Sequence, residues 1–176
     1  MPEKLFEETI IREIRDLLLG RQQSIAVGES VSSGLLQLAF SAMPDAIQFY
    51  QGGITAYNLT QKIKFFSVEP LHASTVNCVS QEVANEISLA VCREFASDWG
   101  IGITGYASAV PESGNRVFAF FSICYRDKIQ DSGQLKSRKA DPFRVQLDYA
   151  HQVLEKLLGC LVSSNGKQVL SKTAGK

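Results

Sequence analysis

The stretch Ser24-Ile25-Ala26-Val27-Gly28-Glu29-Ser30-Val31-Ser32-Ser33-Gly34 contains the change of period that decides the fold. Ile25, Ala26 and Val27 form a short apolar run suited to a buried strand, and Leu35, Leu36, Leu38 and Ala39 follow at helical spacing. A strand therefore gives way to a helix within a few residues. Gly28 loosens the backbone there, and Ser32 or Ser33 can cap the helix. Ser30 stands at the turn, among backbone N–H groups that suit a phosphate or the oxyanion of an acyl-transfer intermediate. The same residues also describe a serine-rich helix cap with no chemistry, because helix N-termini favour serine. The segment alone leaves both readings open.

Upstream, Leu5, Phe6, Ile10, Ile11, Ile14, Leu17 and Leu18 predict a helix from Glu3 to Leu19, stopped by Gly20. Downstream, the helix from Ser33 to Ala42 ends at Met43-Pro44-Asp45, and Ile47 to Tyr57 reads as a strand. Gly52 and Gly53 interrupt that strand and predict a bulge or a close backbone approach. Asn58 caps a short helix carrying Lys62, Val68 to Val79 is a connecting stretch, and Ser80 opens a helix that runs to Phe95. Trp99 to Thr104 is a buried strand, and Tyr106 to Asn115 a loop of small residues. Val117–Arg126 and Ile129–Arg138 form a hairpin around Asp127 and Lys128. Asp141 and Pro142 start a final amphipathic helix, and the Ser-, Gly- and Lys-rich segment 163–176 is expected to be a disordered tail. Strands alternating with helices predict an α/β sandwich, one domain over residues 1–162, and the late hairpin requires an antiparallel strand in a mixed, mostly parallel sheet. Three loops, Gly28–Gly34, Tyr57–Lys62 and Thr104–Asn115, then meet at the carboxyl ends of the strands, where open α/β sheets bind ligands.

The 176 residues, 45% hydrophobic and 20% charged, fit a single globular domain. Eighteen basic residues balance eighteen acidic ones, which argues against a nucleic-acid or membrane partner. Lys136, Arg138 and Lys139 read as a solvated sheet edge. The charged, amphipathic N-terminus and the lack of a bilayer-length apolar run predict a cytoplasmic protein. Cys78, Cys92, Cys124 and Cys160 show no metal-ligand spacing; Cys92, Cys124 and Cys160 are expected to be buried thiols, and neither metal nor cofactor is expected.

A nucleophilic Ser30 needs a base. The sequence offers two histidines, His72 in the connecting stretch and His151 on the last helix, and both also suit surface or half-buried roles. The G-x-S-x-G elbow is half present, because Ser32 stands where its second glycine would, and no G-K-[ST] marks a P-loop. Lys62 is the other candidate. Followed by Ile63, Phe65 and Phe66, it is either partly withdrawn from water, which frees its amine to accept a proton, or an ordinary solvated helix lysine.

Spread along the chain in order are G-E-S-V-S-S-G (Gly28–Gly34), F-Y-Q-G-G-I-T-A-Y-N-L-T-Q-K (Phe49–Lys62) and the V-S-x-E-V-A phrase (Val79–Ala84). They resemble the motifs A-E-S-C-T-G-G, F-x-G-G-x-x-x-Y-S-N-x-x-K and V-S-x-E-V-A of the CinA C-terminal domain family, the nicotinamide-nucleotide amidases, over roughly Leu5 to Leu161. The resemblance implies a three-layer α/β/α domain, a homodimer, and a pyridine-nucleotide partner, with hydrolysis of nicotinamide mononucleotide to nicotinic acid mononucleotide and ammonia. By position, Ser30 would be the nucleophile and Lys62 the base. Glu29 and Tyr57 would shape or orient the pocket. Backbone N–H groups from Val31 through Ser32 and Ser33 to Gly34 would hold the oxyanion; Thr104, Gly105 and Arg144 would contact substrate. The chain departs from the family at Ser33 and Ser108, where glycines stand, at Ala109 for a proline, at Tyr106, and at Gln146, which aligns with an arginine two positions from Arg144. A paralogue that binds a nucleotide-like ligand or a protein partner without turnover is the alternative.

Overall fold

The computed structural model describes residues 5–173, with side chains through Ser164. Five strands form one sheet in the order β2-β1-β3-β4-β5, with β1 at Ile25–Glu29, β2 at Tyr50–Thr55, β3 at Trp99–Tyr106, β4 at Phe118–Tyr125 and β5 at Lys128–Lys136. β1 runs parallel to β2 and β3, while β4 opposes β3 and β5 opposes β4, so the sheet is mixed and only β4 runs against the rest. The two-residue turn at Arg126 and Asp127 between β4 and β5 requires that reversal.

Helices cover both faces. α1 (Glu8–Arg21), α2 (Leu35–Ser41) and α6 (Pro142–Thr173) bury Ile14, Leu18, Phe40, Tyr149 and Leu157 against one face. α3 (Leu59–Phe66), α4 (Pro70–Thr75) and α5 (Gln81–Glu94) bury Phe66, Ala73, Val83 and Ile87 against the other. The result is a three-layer α/β/α sandwich. β1, central and covered on both sides, is buried at every residue, which is why it opens with the continuous apolar run Ile25–Val27.

Several elements differ from the sequence reading. The first helix begins at Glu8, not Glu3, and the chain from Ser67 to Asn77 contains α4, which was expected to be a connector. Pro70 sits in its first turn, and the Glu69 carboxylate accepts from the amides of Leu71 and His72; the helix is too short to show a 3.6-residue period. Cys160 is half-buried, whereas Cys78, Cys92 and Cys124 are buried. α6 continues into the segment expected to be a tail, and residues 174–176 of that segment lie outside the described residues. Asp141 does cap α6, accepting from the Arg144 amide at 3.0 Å.

Two glycines seat the strands that carry the site. A Cβ on Gly28 would lie 2.4 Å from Ile87 Cγ2, so the glycine lets α5 close onto β1. Gly52 has φ +132 and packs on Phe95, just past the register shift between β1 and β2 that leaves Gln51 unpaired. Both expected features of that strand, the bulge and the close approach, are present.

Candidate active site

β1 ends at Glu29, and the turn that follows is built around that residue's carboxylate. Glu29 is fully buried. One oxygen, Oε2, accepts from Ser32 Oγ at 2.6 Å and from the amides of Gly34 and Leu36 at 3.1 Å each. The other, Oε1, accepts from the Gln37 amide at 2.8 Å. A buried carboxylate is tolerable when its lone pairs are filled in this way. Glu29 therefore does the capping expected of Ser32 or Ser33: the N-cap residue of α2 is Gly34, and no side chain of the cap itself makes the bond. Ser32 faces inward to Glu29, and Ser33 is exposed in a left-handed conformation with φ 54. Glu29, Ser32, Ser33 and Gly34 are not among the residues that line the cavity described next; the contacts they make hold the turn.

Ser30 does line it. Its amide donates to Ile103 O at 3.1 Å, which ties the turn to β3. Among the described residues its hydroxyl makes no hydrogen bond, and no side-chain oxygen is both buried and unpartnered, so Oγ opens onto the cavity although the residue is only 5% exposed. The amide demands of the turn narrow the choice of oxyanion donors. Gly34, Leu36 and Gln37 donate to Glu29, and Ser33 N donates to Ser30 O. Among the described residues this leaves the amides of Val31 and Ser32 without a protein acceptor.

The cavity beside Ser30 has a volume of about 450 Å³ and collects all three predicted loops, with Lys62, Tyr57, Thr104 and Gly105 in its lining. Lys62 reaches it from α3, whose start is fixed by Asn58 Oδ1 accepting from the Gln61 amide at 3.0 Å. It is 3% exposed, and its ammonium donates to Tyr57 O at 3.0 Å. Burial pushes the Lys62 pKa below its ordinary value; the neighbouring Cys78 thiol acts weakly in the other direction. Among the described residues no carboxylate lines the cavity to hold the charge. Among the described residues Lys62 and Ser30 share the cavity without a hydrogen bond between them. Tyr57 contributes its carbonyl, while its side chain is 74% exposed.

Neither histidine belongs to the site. His72 Nε2 lies 2.9 Å from Ser80 Oγ, and His151 Nε2 lies 2.6 Å from Leu5 O. Arg144 is also elsewhere, exposed beside Phe143 and His151, whereas Gln146 lines the cavity. Two residues along an α-helix point about 200° apart, so Arg144 and Gln146 cannot face the same side.

Asn77 and Cys78, on the turn after α4, were missed as lining residues. Both have left-handed backbones, with φ 50 and 59, and Thr104 Oγ1 holds the turn by donating to Cys78 O at 2.7 Å. The turn owes its place to that bond and to α4, so no local motif announces it. Tyr106 walls the cavity without filling it: its hydroxyl accepts from Asn77 Nδ2 at 3.0 Å, and its ring meets Phe118 edge-on at 5.5 Å.

The CinA C-terminal domain model matches residues 7–161. A CinA-like protein of Picosynechococcus sp. is 33% identical over 114 residues, covering 65% of this chain and 27% of that protein. One from Thermosynechococcus vestitus is 36% identical over 101 residues, covering 57% and 24%. The chain thus spans about a quarter of the length of the curated relatives it matches. Among solved structures, a competence-damaged protein (CinA) superfamily protein from Klebsiella pneumoniae superposes with a TM-score of 0.83 at 21% identity, covering 88% of this chain and 97% of that one. A competence/damage inducible protein from Agrobacterium tumefaciens gives 0.77 at 17% identity, covering 89% and 98%. At these identities the structural likeness speaks for the fold alone.

Proposed function

The chain belongs to the CinA C-terminal domain family, and from that premise together with the geometry of the Ser30 cavity we propose that it is a Ser-Lys amidohydrolase acting on the carboxamide of nicotinamide mononucleotide or a related small amide. Ser30 Oγ attacks the amide carbon while the neutral Lys62 amine takes the hydroxyl proton. The resulting oxyanion meets the amide of Val31, which lines the cavity and has no protein acceptor among the described residues. As the C–N bond breaks, the Lys62 ammonium returns its proton to the departing nitrogen, and ammonia leaves. A water deprotonated by Lys62 then cleaves the acyl-serine, giving nicotinic acid mononucleotide and free Ser30. The Tyr57 carbonyl takes one N–H of the amine throughout, which fixes the direction of its lone pair.

The observation that carries this reading is the burial of Lys62 in the cavity of Ser30 with no carboxylate in the lining among the described residues. A lysine held so favours the neutral base form that an ion-paired lysine would not. Within this reading the protein is a cytoplasmic homodimer. The test is ammonia release from nicotinamide mononucleotide by wild type, Ser30→Ala and Lys62→Ala. The expected loss in each variant is at least about 10²-fold; equal rates in all three would sink the assignment.

The missing Ser30–Lys62 hydrogen bond and the left-handed Ser33 favour a second reading, a family member that binds a pyridine nucleotide without turnover. It predicts a rise in Tm with nicotinamide mononucleotide and no ammonia.

A further inference from the structure

A second cavity, also of about 450 Å³, adjoins the first and shares Asn77, Val79 and Tyr106 with it. The shared wall is the Asn77–Tyr106 hydrogen bond together with the Tyr106–Phe118 ring contact. On the far side the Arg116 guanidinium stands 5.6 Å from the Phe118 ring centroid. Among the described residues the first cavity has Lys62 as its single lining cation, buried and directed at Tyr57 O, and so offers no free positive group to an anionic ligand.

The second cavity does. Arg116 Nε makes a long 3.4 Å bond to Ser113 O, and among the described residues the guanidinium has no ion pair and no acceptor for its two terminal nitrogens. The hydroxyls around it are already engaged: Ser74 donates to Leu71 O, Thr75 to His72 O and Ser113 to Val110 O. Glu112 also lines this cavity; it is exposed, and among the described residues it does not pair with Arg116. Among the described residues the guanidinium is thus the one cationic group offered there.

We propose that the chamber beyond Tyr106 is an anion-accepting subsite in which Arg116 grips the phosphomonoester end of a ligand whose neutral end lies beside Ser30. A guanidinium presents paired N–H donors that match phosphate oxygens, and the Phe118 face beneath it limits the orientations it must give up on binding. The identity of the reacting end rests on the amidase reading; the anion site does not.

The probe is ribose 5-phosphate, which carries the anion and no amide, titrated by 31P NMR into wild type, Arg116→Gln, Arg116→Lys and Ser30→Ala. The expected result is binding to wild type and Ser30→Ala alike, weakened about tenfold or more in Arg116→Gln, as for loss of a charge-assisted hydrogen bond, and partly restored in Arg116→Lys. Ribose without phosphate should show no dependence on residue 116. Equal affinity in wild type and Arg116→Gln, or no binding to wild type, overturns the subsite. Arginine-dependent binding without ammonia release from nicotinamide mononucleotide would keep the subsite and remove the amidase.

Discussion

Among the described residues two charged side chains are buried, Glu29 at the end of β1 and Lys62 on α3, and their surroundings are opposite. The Glu29 carboxylate accepts four hydrogen bonds within its own turn. The Lys62 ammonium donates to one neutral carbonyl and faces a cavity. A buried charge with every lone pair filled organises structure, whereas one left nearly alone is destabilising and is retained where its proton is useful. The contrast separates the two residues: Glu29 builds the turn that displays Ser30, and under the proposed function Lys62 is the group that would exchange a proton there.

The largest expected effect breaks the chemical half of that contrast. Lys62→Met keeps an unbranched apolar stem and removes the amine; under the proposed function ammonia release should fall about 10²–10⁴-fold, while the folded state is not weakened, because a buried charge with no counter-ion is gone. A Lys62→Met variant that unfolds at clearly lower urea would mean the lysine is structural after all. Glu29→Ala breaks the other half. It strands the Gly34, Leu36 and Gln37 amides and should lower stability by about 3 kcal/mol in urea denaturation, with α2 loosened; a loss below about 1 kcal/mol would show that the turn does not depend on the carboxylate.

The pH dependence sharpens the comparison further. Because burial lowers the Lys62 pKa from 10.5, the unfolded chain holds more protons at this group between the two values, so folding stability rises with pH across that window. The penalty is fully present below the lowered value and disappears as pH approaches 10.5. Lys62→Met should flatten that slope. In the wild type kcat/KM should rise over the same lowered pKa, as the amine becomes neutral. A stability slope unchanged by the substitution would remove the desolvation argument.

The smallest effect concerns the turn itself. Ser33 holds φ 54, a left-handed conformation that costs an L-residue more than glycine. Ser33→Gly should raise stability by about 0.5 kcal/mol, the relief of that strain less the added freedom of the unfolded chain. A lowered Tm would show that the exposed hydroxyl has a partner in solution.

Much of this was legible in the sequence because the signals are local. The apolar run at Ile25–Val27, the Asn58 and Ser80 caps, and the late hairpin, whose turn falls at Arg126 and Asp127 and so one residue before Asp127 and Lys128, each follow from residues within one or two turns of chain, and Ser80 does accept from the Val83 amide at 3.2 Å. Ser30 and Lys62, which a pattern of motifs and not any distance suggested as nucleophile and base, line one cavity. Helix α4 was not legible, because six residues are too few for a period. Nor was the role of Glu29, which reads in the sequence as a motif residue next to a nucleophile and proves to be the cap of the following helix.

The order of apolar runs and caps alone therefore determined that β1 leads into a helix, that the sheet is mixed, and that three loops converge at its carboxyl edge. Tertiary structure decided which side chains in those loops face the cavity. It buried Glu29 and Ser32 beneath the turn, turned Arg144 away and Gln146 inward, and brought Asn77 and Cys78 in from a turn held by Thr104. The reason is physical: strand and helix formation answer to neighbours a few residues away, but the direction and solvation of a side chain depend on what the rest of the chain packs around it.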